Sequence, residues 1–96
     1  MHVRVVRFAD VDPERVKELL AQVEGSDGPP EGVPSTGVEF LHDADQRTMV
    51  VLQHYDSAED MSAGEKVFDA MDPSGTPGTR VSVDRCELKL ERRLGS

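Results

Sequence analysis

The chain predicts an α+β domain of order β-α-β-β-α-β, an antiparallel sheet with two helices on one face. Three observations carry this. Two segments place apolar residues at helical spacing behind a capping residue. Four segments read as strands, and the middle two are joined by a short polar turn. The strands carry apolar residues on both faces, so two helices over one face leave the other to be covered by something else.

The first strand spans His2 to Phe8, with Val3 and Val5 on one face and Arg4, Val6 and Phe8 on the other. Asp12 can cap a helix and Pro13 suits its first position. Val16, Leu19, Leu20 and Val23 then form one apolar stripe, and Gly25 ends the helix. Residues 25–37 hold four Gly and three Pro and read as a loop, long for so small a domain. Loops of this length are either functional or plain surface excursions.

Val38 to His42 is the second strand, and HDADQ (42–46) is the turn of a hairpin. Pairing His42 with Arg47 sets Phe40 opposite Met49 and Val38 opposite Val51. On the third strand Met49, Val51, Gln53 and Tyr55 share a face, while Thr48, Val50, Leu52 and His54 share the other. Ser57 caps the second helix with Asp60 close to a capping-box position. Its inner face is Met61, Gly64, Val67, Phe68 and Met71. Gly64 marks either a close approach to the helix or a weak helix. After a second Pro/Gly loop at 72–79, Thr79 to Arg93 reads as extended, with a phase change that predicts a bulge near Asp84-Arg85. Those fifteen residues would reach about 50 Å. The end of this strand is therefore expected to project and pair with a second copy of the chain.

Composition bounds the rest. Ninety-six residues make a single domain, 1–96, and 36% hydrophobic residues with four aromatics and no Trp, Ile or Asn make a thin core. Such a chain gains from burying surface against a partner. A net charge of −8 argues against nucleic acid and anionic membrane as partners; solubility is its plain explanation. Cys86 is the single cysteine, so no intrachain disulfide forms, and it reads as a small core residue. No signal-peptide pattern follows Met1, and no apolar run approaches the length of about 20 that a membrane helix needs, so a cytoplasmic protein is expected.

The element order is the ferredoxin-like arrangement. At the strand–corner–helix VVLQHYDSAEDM, with Tyr55, Asp56, Ser57, Glu59 and Asp60, the chain resembles the dimeric α/β-barrel superfamily and its antibiotic biosynthesis monooxygenase-like domains. The resemblance implies a homodimer whose sheets form a barrel, and a pocket between sheet and helices in each subunit. The haem-degrading branch uses an Asn on the first strand and a Trp and a His on the second helix. Here Arg7, Gly64 and Met71 lie near those positions, so that triad is not carried over and haem degradation is not expected. Cofactor-free oxygenases of this fold orient a phenolic substrate with polar and aromatic residues, for which His54, Tyr55 and Arg7 are the candidates.

Each candidate has a plainer reading. His54 is a general base or a strand-end histidine at the rim of the core. Tyr55 holds a ligand or packs under a helix. Arg7 binds an anionic group or pairs with a carboxylate. Tyr55, Met61, Phe68 and Met71 are the candidate pocket wall. His54, Asp56 and Ser57 are too close in sequence for a hydrolytic triad, and Ser57 is better used as a cap. His2, His42 and His54 do not converge, so no metal site is expected, and no cofactor is expected either. The leading expectation is a homodimer that binds a small apolar or aromatic molecule. The alternatives are a cofactor-independent monooxygenase-like enzyme and a structural or regulatory dimer with a filled interior.

Overall fold

The computed structural model describes residues 1–70 and 76–95. The elements are β1 (His2–Ala9), α1 (Pro13–Glu24), β2 (Ser35–Asp43), β3 (Thr48–Tyr55), α2 (Ala58–Asp69) and β4 (Thr79–Glu87). The strands form one sheet in the order β2-β3-β1-β4, with every neighbouring pair antiparallel. This is the ferredoxin-like arrangement, and the two crossover helices lie on the same face of the sheet.

Both helices begin where capping chemistry places them. Asp12 Oδ1 accepts the Glu14 amide at 3.0 Å, with Pro13 at the first turn of α1. Ser57 Oγ accepts the Asp60 amide at 3.1 Å, and Glu59 and Asp60 place negative charge at the start of α2. No helix among the described residues is long and apolar enough to cross a membrane.

Register decides which residues the helices cover. Arg4, Val6 and Phe8 of β1 lie opposite Gln53, Val51 and Met49 of β3. The main core cluster is Val6, Phe8, Val11, Val16, Met49 and Val51, with Leu19, Phe40 and Val83 packed against it. A second cluster, under α2, joins Tyr55 to Val33 and Met61, with Val67 and Phe68 beside them. Val3, Val5, Val50, Leu52 and His54 share the opposite face, over which no helix packs.

Five expectations are corrected. Strand β2 runs from Ser35 to Asp43, longer than predicted at both ends. The hairpin register differs by two residues: His42 pairs with Met49 and Phe40 with Val51, around a turn in which Arg47 has φ 57°. An even shift keeps every side chain on its own face, so the apolar cluster survives. The bulge falls at Val81, opposite Arg7 and Phe8, and the alternation runs unbroken through Asp84 and Arg85. Strand β4 ends at Glu87, beyond which Leu88 N still donates to Met1 O at 2.9 Å. The phase that follows puts Cys86 opposite Val3 on the face without helices, where it is exposed and not part of the core.

Candidate functional site

The two helices meet the sheet differently. Helix α2 buries Met61 and Gly64, and Gly64 sits directly on Tyr55. A Cβ at residue 64 would lie 2.6 Å from the Tyr55 Oη and 2.8 Å from its Cε1. A close approach is therefore the reason for the glycine. Helix α1 buries only Val16. Beneath it lies a cleft of about 910 Å³.

The floor of the cleft is the helix-side face of the sheet, with Phe8, Phe40, Val51 and Gln53. Leu19 and Val23 of α1 form one wall, and Phe68 of α2 contributes to another. The Pro/Gly loop closes a further side with Pro29, Pro30 and Val33. Val33 is buried, so this loop is a built wall and not a surface excursion. Among the described residues the charged groups lining the cleft are Arg4, Asp69 and Arg80.

Arg4 is the one buried charged residue among those described, at 3% exposure. Its Nε donates to Glu65 Oε2 at 3.1 Å and its Nη1 to Gln53 Oε1 at 3.0 Å. Its Cζ lies 5.6 Å from the centre of the Phe68 ring. Glu65 is shared with Arg85, whose Nε donates to Oε2 at 2.8 Å and whose Nη2 donates to Oε1. The hydrogen bond from Arg85, with those from Arg4 and the charges of both, holds the Glu65 carboxyl below the usual carboxylate range. This cluster ties β1, β3, α2 and β4 together.

Tyr55 is fully buried, and its hydroxyl has no hydrogen-bond partner among the described residues. Burial pushes its phenol above the ordinary value, Glu65 adds to the rise and Arg4 opposes it.

The sequence candidates scatter. His54 lies on the face without helices, with Nε2 2.7 Å from Glu39 Oε1. Arg7 shares that face, 3.8 Å from Asp84. Tyr55 packs under α2 against Met61 of that helix, and neither residue lines the cleft. Phe68 does line it, and Met71 lies outside the described residues. Arg4, Gln53 and Glu65 were not singled out by sequence. The signal available was that two polar residues, Arg4 and Gln53, interrupt otherwise apolar strand faces and can sit at one level.

No protein-family model matches the chain, and no curated protein matches it in sequence. Solved structures do match in shape. A proposed antibiotic biosynthesis monooxygenase from Chloroflexus aurantiacus J-10-fl superposes with a TM-score of 0.61 at 18% identity, over 98% of each chain. A mutant of MhuD with two manganese protoporphyrin IX bound per active site matches at 0.59 and 15% identity over the whole of both chains. Rv0793 from Mycobacterium tuberculosis matches at 0.57 and 17% identity, over 96% of this chain and 98% of that one. At these identities the likeness concerns architecture: the chain has the ferredoxin-like fold of antibiotic biosynthesis monooxygenase-like proteins.

Proposed function

We propose that this chain is one subunit of a homodimeric α/β barrel, and that each subunit holds a small apolar or aromatic molecule in its cleft. The observation that carries the binding reading is the cleft itself, about 910 Å³ with aromatic and aliphatic walls. One structural neighbour, the MhuD mutant, holds two manganese protoporphyrins per active site, which supports a ligand-binding use of this fold. Binding is preferred over catalysis because Asp69 is the one candidate general base among the described lining residues. A haem iron would find no His, Cys, Met or Tyr among them as axial ligand, so the lining does not fit haem.

The dimer reading draws on the uncovered sheet face. Val5, Val50 and Leu52 form a half-buried apolar stripe there beside the buried Val3, and Leu41 is 54% exposed. A second copy related by a two-fold axis would cover this stripe with its own. Leu90 and Leu94, each more than 80% exposed in the segment after β4, would find cover in the same assembly.

Titration with Nile red, a neutral apolar dye, tests the cleft. Saturable binding that is lost in Val23→Trp, which fills the space under α1, is expected; binding indifferent to Val23→Trp sinks the reading. Sedimentation equilibrium tests the dimer. A wild-type dimer and a monomeric Leu52→Asp are expected, and a monomer at micromolar wild-type concentration rejects that half.

A further inference from the structure

We propose that the cleft selects a molecule with one carboxylate on an apolar body, and that Arg4 is the residue that holds the carboxylate. This rests on the cleft being a binding site and names the chemistry of its ligand.

Three observations lead there. First, Arg4 lines the cleft, yet only two of its nitrogens are used: Nε on Glu65 and Nη1 on Gln53. Nη2 makes no hydrogen bond to any described residue. Nη2 is not sealed from solvent as the Tyr55 hydroxyl is, and this open guanidinium edge is suited to a carboxylate oxygen. Second, the group is rigid. Glu65, Gln53 and the Phe68 ring restrain it on three sides, so no side-chain freedom is lost on binding. Third, its charge is not cancelled. Arg4 and Arg85 share the single carboxylate of Glu65. Asp69 acts on Arg85, and Arg80 adds a third guanidinium to the lining, so among the described residues three guanidinium groups stand against two carboxylates around the cleft. In a chain of net charge −8 this is a local reversal of sign.

The rest of the cleft excludes a bare inorganic anion as the natural fit. Phe8, Leu19, Phe40 and Val51 offer apolar surface that only a hydrocarbon or aromatic body can cover. Charge at one point and apolar walls elsewhere define an amphipathic acid.

The test uses 2-naphthoate and its neutral counterpart 2-naphthamide, titrated by calorimetry into the full chain. Naphthoate is expected to bind at least about tenfold tighter. In Arg4→Met that preference is expected to vanish, while naphthamide binds within about twofold of wild type. Arg7→Met, on the other face of the sheet, leaves the preference intact. Equal affinity of the two probes for wild type, or a preference that survives Arg4→Met, overturns the assignment and leaves the cleft reading standing. If neither probe binds, both readings fall. Should Arg4→Met not fold, the Arg4 Nε–H resonance of the wild-type protein decides: it shifts with naphthoate and not with naphthamide, and a resonance unmoved by naphthoate overturns the proposal.

Discussion

Under α2 the molecule is solid; under α1 it is hollow. Both helices are twelve residues long, capped by an acidic or hydroxyl side chain, and laid over the same sheet. What differs is the residue at the point of contact. Gly64 lets the α2 backbone rest on the ring of Tyr55, whereas α1 meets the sheet mainly through Val16 and holds Leu19 and Val23 over open space. Close packing of one helix and the stand-off of the other, with the loop of residues 25–34 as a side wall, leave room for a ligand in a chain of this size.

Filling the contact under α2 should break this contrast most severely. Gly64→Ala puts a methyl into the Tyr55 ring, and overpacking of this kind costs about 1–3 kcal/mol against roughly 1 kcal/mol gained in helix propensity. A net loss is expected, and Gly64→Leu should lose about 3 kcal/mol or more. Thermal unfolding reads both, and a Tm that rises in Gly64→Ala would mean that the ring yields freely.

Next in size is Arg4→Met, which leaves the Gln53 amide without its donor and removes one partner from Glu65. A loss of about 1–3 kcal/mol is expected in chemical denaturation, moderated because Arg85 still serves Glu65. Arg85→Met should cost visibly less, since that side chain is half exposed.

Tyr55→Phe should go the other way. The hydroxyl is buried without a partner, so removing it is expected to stabilise by about 1 kcal/mol. The phenol also supplies a pH signature. Its raised value in the folded state means that its stability contribution is complete below the ordinary tyrosine value of 10.0 and is lost as pH rises through the folded-state value. Tyr55→Phe should therefore flatten the alkaline limb of a stability profile; an unchanged limb would show that the phenol does not ionise differently on unfolding.

The smallest effect concerns the acid limb. Glu65 has a depressed folded-state value, so its contribution is present above the unfolded carboxylate value of 4.5 and fades as pH falls through the folded one. Glu65→Gln should make stability less dependent on pH in that range, read from denaturation midpoints at a series of acid pH values.

The elements were legible in the sequence because capping residues, turn residues and alternation are local signals. Asp12 and Ser57 announced their caps, and the polar stretch after Leu41 announced a turn, although its His42 and Asp43 belong to β2. The two faces of β3 were legible too, but alternation does not say which face the helices choose. His54 and Arg7 were attractive for their chemistry, and both lie on the face turned away from the cleft. Arg4 stayed hidden for the opposite reason. A lone arginine in a strand reads as solvent-facing, and only the arrival of Glu65 from sixty-one residues away makes its burial affordable. The hairpin register erred by two residues because turn length, not alternation, sets it, and Arg47 adds a left-handed residue to the turn.

The position of β1 has a consequence for how the chain folds. It is central, hydrogen-bonded to β3 on one side and to β4 on the other, so its partners lie about fifty and eighty residues downstream. During synthesis β1 emerges before both of its partners and keeps an unpaired edge until β4 is made. Loop closure over such spans is slow and stabilises little until both pairings exist. The chain should accordingly refold on the millisecond-to-second scale of β-rich topologies, with β4 docking as a late step and Arg85 clasping Glu65 only then.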